Sequence, residues 1–339
     1  MLAPAPDRGG PAQPLLEVRG LTKHFRARTK PFAPPKVVRA VDGISFSVAK
    51  GETVGVVGES GCGKSTAARL LMHLMPRDAG DILYDGERVG STLPLRDLRR
   101  RMQMVFQDSY ASLNPRLTIE DSIAFGPTVH GVRDAAARNL ARDLLRRVGL
   151  EPNTFAGRYP HEISGGQRQR INIARALALG PSLVILDEAV SALDKSVEAQ
   201  VLNLLVDLKT ELGLTFLFIS HDLNVMRFIS DRILVMYLGE VVEIGPVESL
   251  WAAPRHPYTA ALIAAMPTLD PDRRTMTAPI AGDPPSPIDP PSGCRFHTRC
   301  VFAEGVCAKV HPVLAEVGPD HQAACLMAIP GSGHSGAAA

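Results

Sequence analysis

Apolar and polar positions alternate through Leu15–Phe25 and Val37–Val48, and the Val, Ile and Phe content predicts a strand in each. Between them, Arg26–Lys36 carries Pro31, Pro34 and Pro35 among basic residues and reads as a loop. Thr53–Gly58 is a short apolar run that passes through glycines into a helical stretch, Ser65–Met75, stopped by Pro76. Asp81–Tyr84 and Met102–Phe106 are further short strands. From about Asp108 to Gly180 the spacing turns helical, with Leu140, Leu144 and Val148 repeating along a basic, Ala-rich segment. Leu183–Leu186 is a buried-strand run. Val197, Val201, Leu204, Leu205, Leu208 and Leu212 then mark one helix face, with Gly213 as its stop. Leu214–Ile219 and Ile233–Met236 are again short apolar strands. Strands alternating with helices predict an α/β fold with a mostly parallel sheet covered on both sides.

The chain has 339 residues, more than the roughly 100–150 of an average domain, which leaves room for a large α/β domain and a smaller appendage. Residues 1–14, with Pro4, Pro6, Pro11 and Pro14, read as a flexible leader; residues 15–266 form the main domain, with a helical subdomain at about 108–180. Residues 267–293 contain Pro267, Pro271, Pro279, Pro284, Pro285, Pro287, Pro290 and Pro291 and read as a linker, since that density suits neither helix interior nor central strand. Residues 294–330 form a cysteine-bearing extension, and 331–339 a disordered tail. A net charge of +2 gives no strong field for nucleic acid or acidic lipid. Hydrophobic content of 45% with 21% charged residues excludes disorder throughout. No apolar run approaches the roughly 18 residues of a membrane span. The start lacks the apolar core of a signal peptide, which predicts a cytosolic chain whose thiols stay reduced. Its five cysteines are then not a disulfide framework, and four of them lie after residue 290.

Residues 58–66 read Gly58-Glu59-Ser60-Gly61-Cys62-Gly63-Lys64-Ser65-Thr66, fitting G-x-x-x-x-G-K-[ST] between strand and helix. Glycines let consecutive backbone N–H groups turn inward around a phosphate, and the helix N-terminus adds partial positive charge. Lys64 supplies a point charge for the β and γ phosphates, and Ser65 offers its hydroxyl to Mg²⁺. Cys62 occupies a variable position and reads as a small filler.

The run Leu183-Val-Ile-Leu-Asp187-Glu188 ends a strand in two acids. Asp187 is placed to hold Mg²⁺, directly or through water, and Glu188 to polarise an attacking water as general base. Phe216-Leu-Phe-Ile-Ser220-His221-Asp222 ends another strand in a polar trio. Three consecutive residues cannot line up as nucleophile, base and orienter, so this is no catalytic triad. His221 reads instead as a γ-phosphate contact at the carboxyl edge of the sheet. Ser164 and Gln167, in Ile163-Ser164-Gly165-Gly166-Gln167, are spaced as a capping box, and the two glycines leave N–H groups open to an anion.

Taken in order and spacing, these motifs and Ser191-Ala-Leu-Asp194 resemble the ATP-binding-cassette (ABC) ATPases over roughly residues 15–265. The resemblance implies a P-loop NTPase cassette: a mixed, mainly parallel sheet with an antiparallel β subdomain and a helical subdomain. It further implies that two cassettes sandwich ATP, so that Ser164, Gly165, Gly166 and Gln167 touch nucleotide bound mainly by the partner. Gln107, in Val105-Phe-Gln-Asp108, matches the glutamine loop that senses Mg²⁺ and water and faces the membrane subunits. Phe25 matches the aromatic that stacks on adenine, and Asp194 the aspartate loop linking the two sites. One departure is Ala189-Val190, where many relatives have Pro-Thr; neither side chain is needed for catalysis.

A narrower resemblance rests on Tyr159-Pro-His-Glu-Ile-Ser-Gly-Gly-Gln, Leu113-Asn-Pro115, His256-Pro-Tyr258 and the cysteine tail: the ATP-binding subunits of dipeptide and oligopeptide permeases. It implies an ATPase at the cytoplasmic face of the inner membrane, peripheral, powering import through two permease subunits fed by an extracytoplasmic binding protein. The insert after Phe25 and Gln107-Asp-Ser-Tyr-Ala-Ser-Leu-Asn-Pro favour the second of two paired cassettes, hence a paralogous partner. Nickel, glutathione and some sugar importers share these features. A soluble cassette ATPase acting on DNA or ribosomes is the rival class, disfavoured by the single cassette, the lack of a long coiled coil and the small net charge.

Cys294, Cys300, Cys307 and Cys325 are separated by five, six and seventeen residues. Four thiolates can hold zinc or an iron–sulfur cluster. Structural zinc sites bring ligands in pairs with about two to four intervening residues; the permease resemblance implies [4Fe–4S] on these four positions. His297, His311 and His321 are alternative ligands. Arg295, Arg299 and Lys309 read as a solvated face.

Overall fold

The computed structural model describes residues 10, 12–27, 36–266 and 282–337. The expectations for the rest of the leader, for loop residues 28–35, for linker residues 267–281 and for residues 338–339 lie outside the described residues.

Along the chain run β1 (Leu16–Ala27), β2 (Lys36–Val48), β3 (Thr53–Val57), α1 (Lys64–Leu71), β4 (Ala79–Tyr84), β5 (Glu87–Arg88), α2 (Leu95–Arg101) and β6 (Met102–Val105). Four helices follow: α3 (Ile119–Val129), α4 (Asp134–Arg147), α5 (Pro152–Phe155) and α6 (Gly165–Leu177). Then come β7 (Leu183–Asp187), α7 (Lys195–Leu212), β8 (Thr215–Ile219), α8 (Leu223–Ile229), β9 (Arg232–Tyr237) and β10 (Glu240–Pro246). The chain closes with α9 (Val247–Ala252), α10 (Pro257–Ala264), β11 (Ala315–Gly318) and β12 (His321–Ala323). It packs as two compact units.

The first unit gathers the described residues up to Glu17 with Ser47–Thr53 and Leu83–Ser220. Its strands β6, β7 and β8 are parallel, with Met102 opposite Leu183 and Leu183 opposite Thr215. All five residues of β7 and of β8 are buried, as expected of a strand covered on both faces. In α4, Ala137, Ala141, Leu144 and Leu145 form the buried stripe, with Val148 just beyond; Leu140 is only half-buried. In α7 the buried positions are Val201, Leu202, Leu205 and Leu208 together with Glu198, and Gly213 ends the helix at φ 61, a left-handed conformation that glycine takes without steric cost.

The second unit gathers Val18–Phe46, Val54–Ile82 and the residues from His221 onward. Here β3 and β9 are parallel, with Val54 opposite Arg232. Strand β9 pairs antiparallel with β10, β10 with β12 and β12 with β11. The sheet is therefore mixed, and the tail contributes strands to it, which the Pro- and Cys-rich composition did not announce. Strands β2, β1 and β4 form a further sheet in that order. Helix α1 stops at Leu71, short of Pro76, because His73 turns left-handed at φ 53. Residues 282–293 contain neither helix nor strand. Residues 331–337, expected to be disordered, are placed: His334 is buried, its Nε2 2.9 Å from the Phe302 carbonyl.

Candidate nucleotide site and cysteine cavity

The loop between β3 and α1 depends on its glycines. Gly58 and Gly63 sit at φ 148 and 110. A Cβ at Gly58 would stand 2.2 Å from the Met236 carbonyl oxygen, and one at Gly63 2.1 Å from that of Ala40. Backbone cannot give way by that much, so both positions exclude any side chain. Lys64 is buried; its Nζ donates to the Gly58 carbonyl at 2.7 Å and the Glu59 carbonyl at 3.0 Å. That fold-back keeps the ammonium against the loop's own backbone. Cys62 is buried with its Sγ 3.7 Å from Lys64 Nζ, and burial raises its thiol pKa. Ser60 and Gly61 are exposed, while Ser65 and Thr66 are half-buried in the first turn of α1. Phe25 of the same unit presents an exposed ring, with Lys23 Nζ 5.5 Å from its centroid. His221 is exposed at the start of α8. Its neighbour Asp222 caps that helix, accepting from the amides of Asn224 at 2.9 Å and Val225 at 3.4 Å, which is chemistry of a cap and not of a triad.

In the other unit, Asp187 ends β7 and is buried. Glu188 follows at φ 47, one of few non-glycine residues in the left-handed region. That conformation costs on the order of 1–2 kcal/mol, and strain of this kind gathers at functional sites. Backbone bonds hold it: the Glu188 amide donates to the Ile219 carbonyl at 2.9 Å, and the Glu188 carbonyl accepts from Ser191 Oγ at 3.0 Å and from the Ser191 amide at 3.2 Å. Gln107 Nε2 donates to Glu188 Oε2 at 2.7 Å. Two residues 81 positions apart, assigned separately from the sequence, thus meet at one carboxylate. Ala189 and Val190 are buried apolar filler.

Ser164 and Gln167 form the expected capping box at the start of α6. The Ser164 amide donates to Gln167 Oε1 at 3.0 Å and the Gln167 amide to Ser164 Oγ at 3.4 Å. A Cβ at Gly166 would meet Val197 Cγ1 at 2.5 Å. Ser164, Gly165, Gly166, Gln167 and Asp194 line one cavity of about 450 Å³, so the signature and the residue before α7 share a surface.

Cys294, Cys300, Cys307 and Cys325 line a single small cavity of about 20 Å³ with Phe296, Phe302, Leu326 and Met327. All are free thiols. Burial pushes the Cys294 thiol up to about 12, with the other three thiols adding to the shift, and it also raises Cys300 and Cys325. Among the described residues, no group of three or more His, Cys, Asp or Glu is set to hold one metal ion. Of the alternative ligands, only His297 lines this cavity; its Nδ1 is 2.8 Å from the Cys294 carbonyl. His311 and His321 point to other partners: His321 Nε2 is 2.7 Å from Glu243 Oε1, both buried.

The expected solvated face of the tail is a correction. Lys309 is exposed, but Arg295 and Arg299 have side chains only 7% and 6% accessible. Arg295 is bonded to the Leu238 carbonyl and to Asp42, and pairs with Glu240 at 2.8 Å. Burial alone would raise the Asp42 pKa, yet hydrogen bonds from Arg295, His24 and Arg39 bring it down to about 2. Arg299 forks the Glu59 carboxylate of the phosphate loop at 2.8 and 3.0 Å. Buried charge demands a partner, but pairs 240 and 253 residues apart leave no local pattern to read. Tyr258 of the His256-Pro-Tyr258 motif reaches the same residue: its hydroxyl accepts from the Glu59 amide at 2.8 Å.

The family model described as "ABC transporter" matches residues 41–191, and that described as "Oligopeptide/dipeptide transporter, C-terminal region" matches residues 242–307. A putative peptide import ATP-binding protein of Brucella ovis is 51% identical over 317 residues, spanning 92% of this chain and 98% of that protein. The oligopeptide transport ATP-binding protein AppF of Bacillus subtilis is 50% identical over 319 residues, covering 92% and 96%. Among solved structures, CbiO1 of Clostridium perfringens, part of the CbiONQ ABC transporter complex, aligns with a TM-score of 0.61 at 26% identity, over 74% of this chain and 95% of that one. A dimeric ATP-binding cassette in a post-hydrolysis state with ADP and Pi aligns at 0.59 and 28% identity, over 68% and 98%.

Proposed function

Because the chain belongs to the ATP-binding subunits of ABC transporters of the oligopeptide/dipeptide type, we propose that it hydrolyses ATP to drive uptake of di- and oligopeptides through partner permeases. The observation that carries the chemistry is the strained Glu188, held against Gln107 beyond the buried Asp187. Glu188 is the general base for the attacking water, and Gln107 orients its carboxylate. Lys64 and the amides of Gly58–Thr66 take the phosphates, His221 contacts the γ-phosphate, and Phe25 stacks on adenine. Ser65, Asp187 and Gln107 supply the hard oxygen donors that Mg²⁺ requires, and the ion would neutralise charge developing on the phosphates. Ser164, Gly165, Gly166, Gln167 and Asp194 serve nucleotide held mainly by a second cassette, in our reading a paralogue. A nucleotide titration tests the loop directly. Lys64→Ala should weaken ATP binding by at least about tenfold; unchanged affinity removes residues 58–66 from the site.

The partners follow from the same reading: two permease subunits, an extracytoplasmic binding protein, and a peripheral position on the cytoplasmic face of the membrane. Among the described residues no helix is long and apolar enough to cross a membrane. Peptide-stimulated ATPase in vesicles holding the whole assembly checks the cargo, against nickel, glutathione and oligosaccharide as competitors. The four-cysteine cavity takes a [4Fe–4S] cluster, with zinc the alternative. What supports this reading is the chemistry of the donors: four thiols line one apolar pocket, and the histidines beside them have ring nitrogens engaged with backbone. Bound, the group would cross-link four points of a tail with few large apolar residues. Anaerobically purified protein should be brown and contain iron with acid-labile sulfide; a colourless sample with one zinc per chain overturns the cluster.

A further inference from the structure

An acidic residue inside a loop that gathers phosphate is a physical anomaly. Glu59 is the second residue of Gly58–Thr66, and a bare carboxylate there would repel every phosphate the loop admits. The fold treats both ends of this residue. Its amide donates to the hydroxyl of Tyr258, whose side chain is fully buried on α10. Its carboxylate receives two bonds from Arg299, Nη1 to Oε2 at 2.8 Å and Nη2 to Oε1 at 3.0 Å, the fork geometry in which guanidinium binds carboxylate most strongly. Arg299 is itself held. Nη1 also donates to the Tyr237 hydroxyl at 3.3 Å, Nη2 to the Gly282 carbonyl at 3.1 Å, and the guanidinium lies 6.0 Å from the Tyr237 ring centre. Tyr237, Tyr258 and Phe296 pack ring against ring behind it, with centroids 4.7 to 5.4 Å apart. Arg299 immediately precedes Cys300 in the tail, so the anchored end of the ion pair is built from the C-terminal extension.

We propose that Arg299 is a positioning residue of the phosphate loop, contributed by the cysteine-bearing tail, which neutralises Glu59 and fixes it so that the loop can accept the ATP triphosphate. The tail thereby becomes part of the nucleotide site. This rests on the reading of residues 58–66 as the nucleotide loop, which Lys64→Ala tests separately.

The experiment is a double-mutant cycle on the full chain, read as the Kd of a fluorescent ATP analogue, with thermal melts as a control for folding. Arg299→Gln keeps bulk and hydrogen-bonding capacity but removes the charge, and should raise Kd on the order of tenfold. Arg299→Lys restores a cation and should recover most of that loss. The Glu59→Gln, Arg299→Gln double variant carries no unbalanced charge beside the loop, so its Kd should return to within about twofold of native. The loss should be larger at low than at high salt, and larger for the ATP analogue than for its diphosphate, because the repelled charge is greater. Native affinity in Arg299→Gln overturns the proposal, as does a double variant that binds as weakly as Arg299→Gln alone, which would mark lost packing instead of unbalanced charge. Should Arg299→Gln not fold, Glu59→Gln alone decides. It leaves the Arg299 charge unspent beside the loop and should tighten ATP binding at low salt, and unchanged or weaker binding overturns the proposal. Failure of Lys64→Ala to weaken binding would sink the loop assignment itself, a different result from failure of the Arg299 cycle.

Discussion

The strands carrying the acid pair and the tail carrying the cysteines are held by opposite means. Strands β7 and β8 are buried at every residue, and Asp187 sits at the end of an apolar run that needs no polar support. The tail has two short strands of four and three residues and anchors itself by buried polar contacts. Arg295 reaches Asp42 and Glu240, Arg299 reaches Glu59, and His321 reaches Glu243. Apolar packing tolerates pH and salt but collapses when volume is removed. Buried charge tolerates little change in protonation, because losing one partner leaves the other uncompensated. The two regions should therefore fail under different insults.

The largest effect belongs to the strand. Leu186→Ala empties a fully buried position of β7 and should cost about 3–5 kcal/mol in denaturant melts; a loss below about 1 kcal/mol would mean the strand is not packed as described. Acid should strike the second unit instead. His256 is buried, and burial lowers its pKa from 6.5 to about 4, with Glu243 opposing. Its neutral Nδ1 accepts from the Tyr258 amide at 3.0 Å and so caps α10. Below pH 6.5 the unfolded chain takes up a proton that the folded chain refuses until about pH 4, so stability is lost as pH falls through that window. The ceiling is on the order of 3 kcal/mol, and His256→Gln should flatten the profile; an unchanged acid profile contradicts the assignment. Smaller again is His321→Ala. Glu243 is fully buried and keeps the amides of Arg255 and His256 at 2.6 and 3.0 Å, so losing one of three donors should cost about 2 kcal/mol. Equal sensitivity of both regions to acid and to cavity formation would break the comparison.

The same contrast explains what the sequence discloses. Gly58 and Gly63 are legible because a local backbone need dictates them, and the Ser164–Gln167 capping box because it lies within four consecutive residues. The apolar runs of β7 and β8 are legible because burial on both faces writes a continuous pattern. The pairing of Gln107 with Glu188 leaves no trace in spacing, and neither does the fork of Arg299 on Glu59. A charged residue reads as solvated unless its partner is known, which is why Arg295 and Arg299 are misplaced by sequence reasoning. Strand β12 is likewise hidden, since three residues between turns carry too little periodicity to stand out.

The central claim is that Glu188 performs the chemistry at a nucleotide site that other residues build. Glu188→Gln, measured for ATP affinity and for turnover on one preparation, tests it most directly. The expected result is an affinity within about twofold of the native chain, since the base contributes little to ground-state binding, with turnover lower by roughly 10²–10⁴-fold. Turnover within about threefold of native, with ATP still bound, would take Glu188 out of the mechanism and contradict the account.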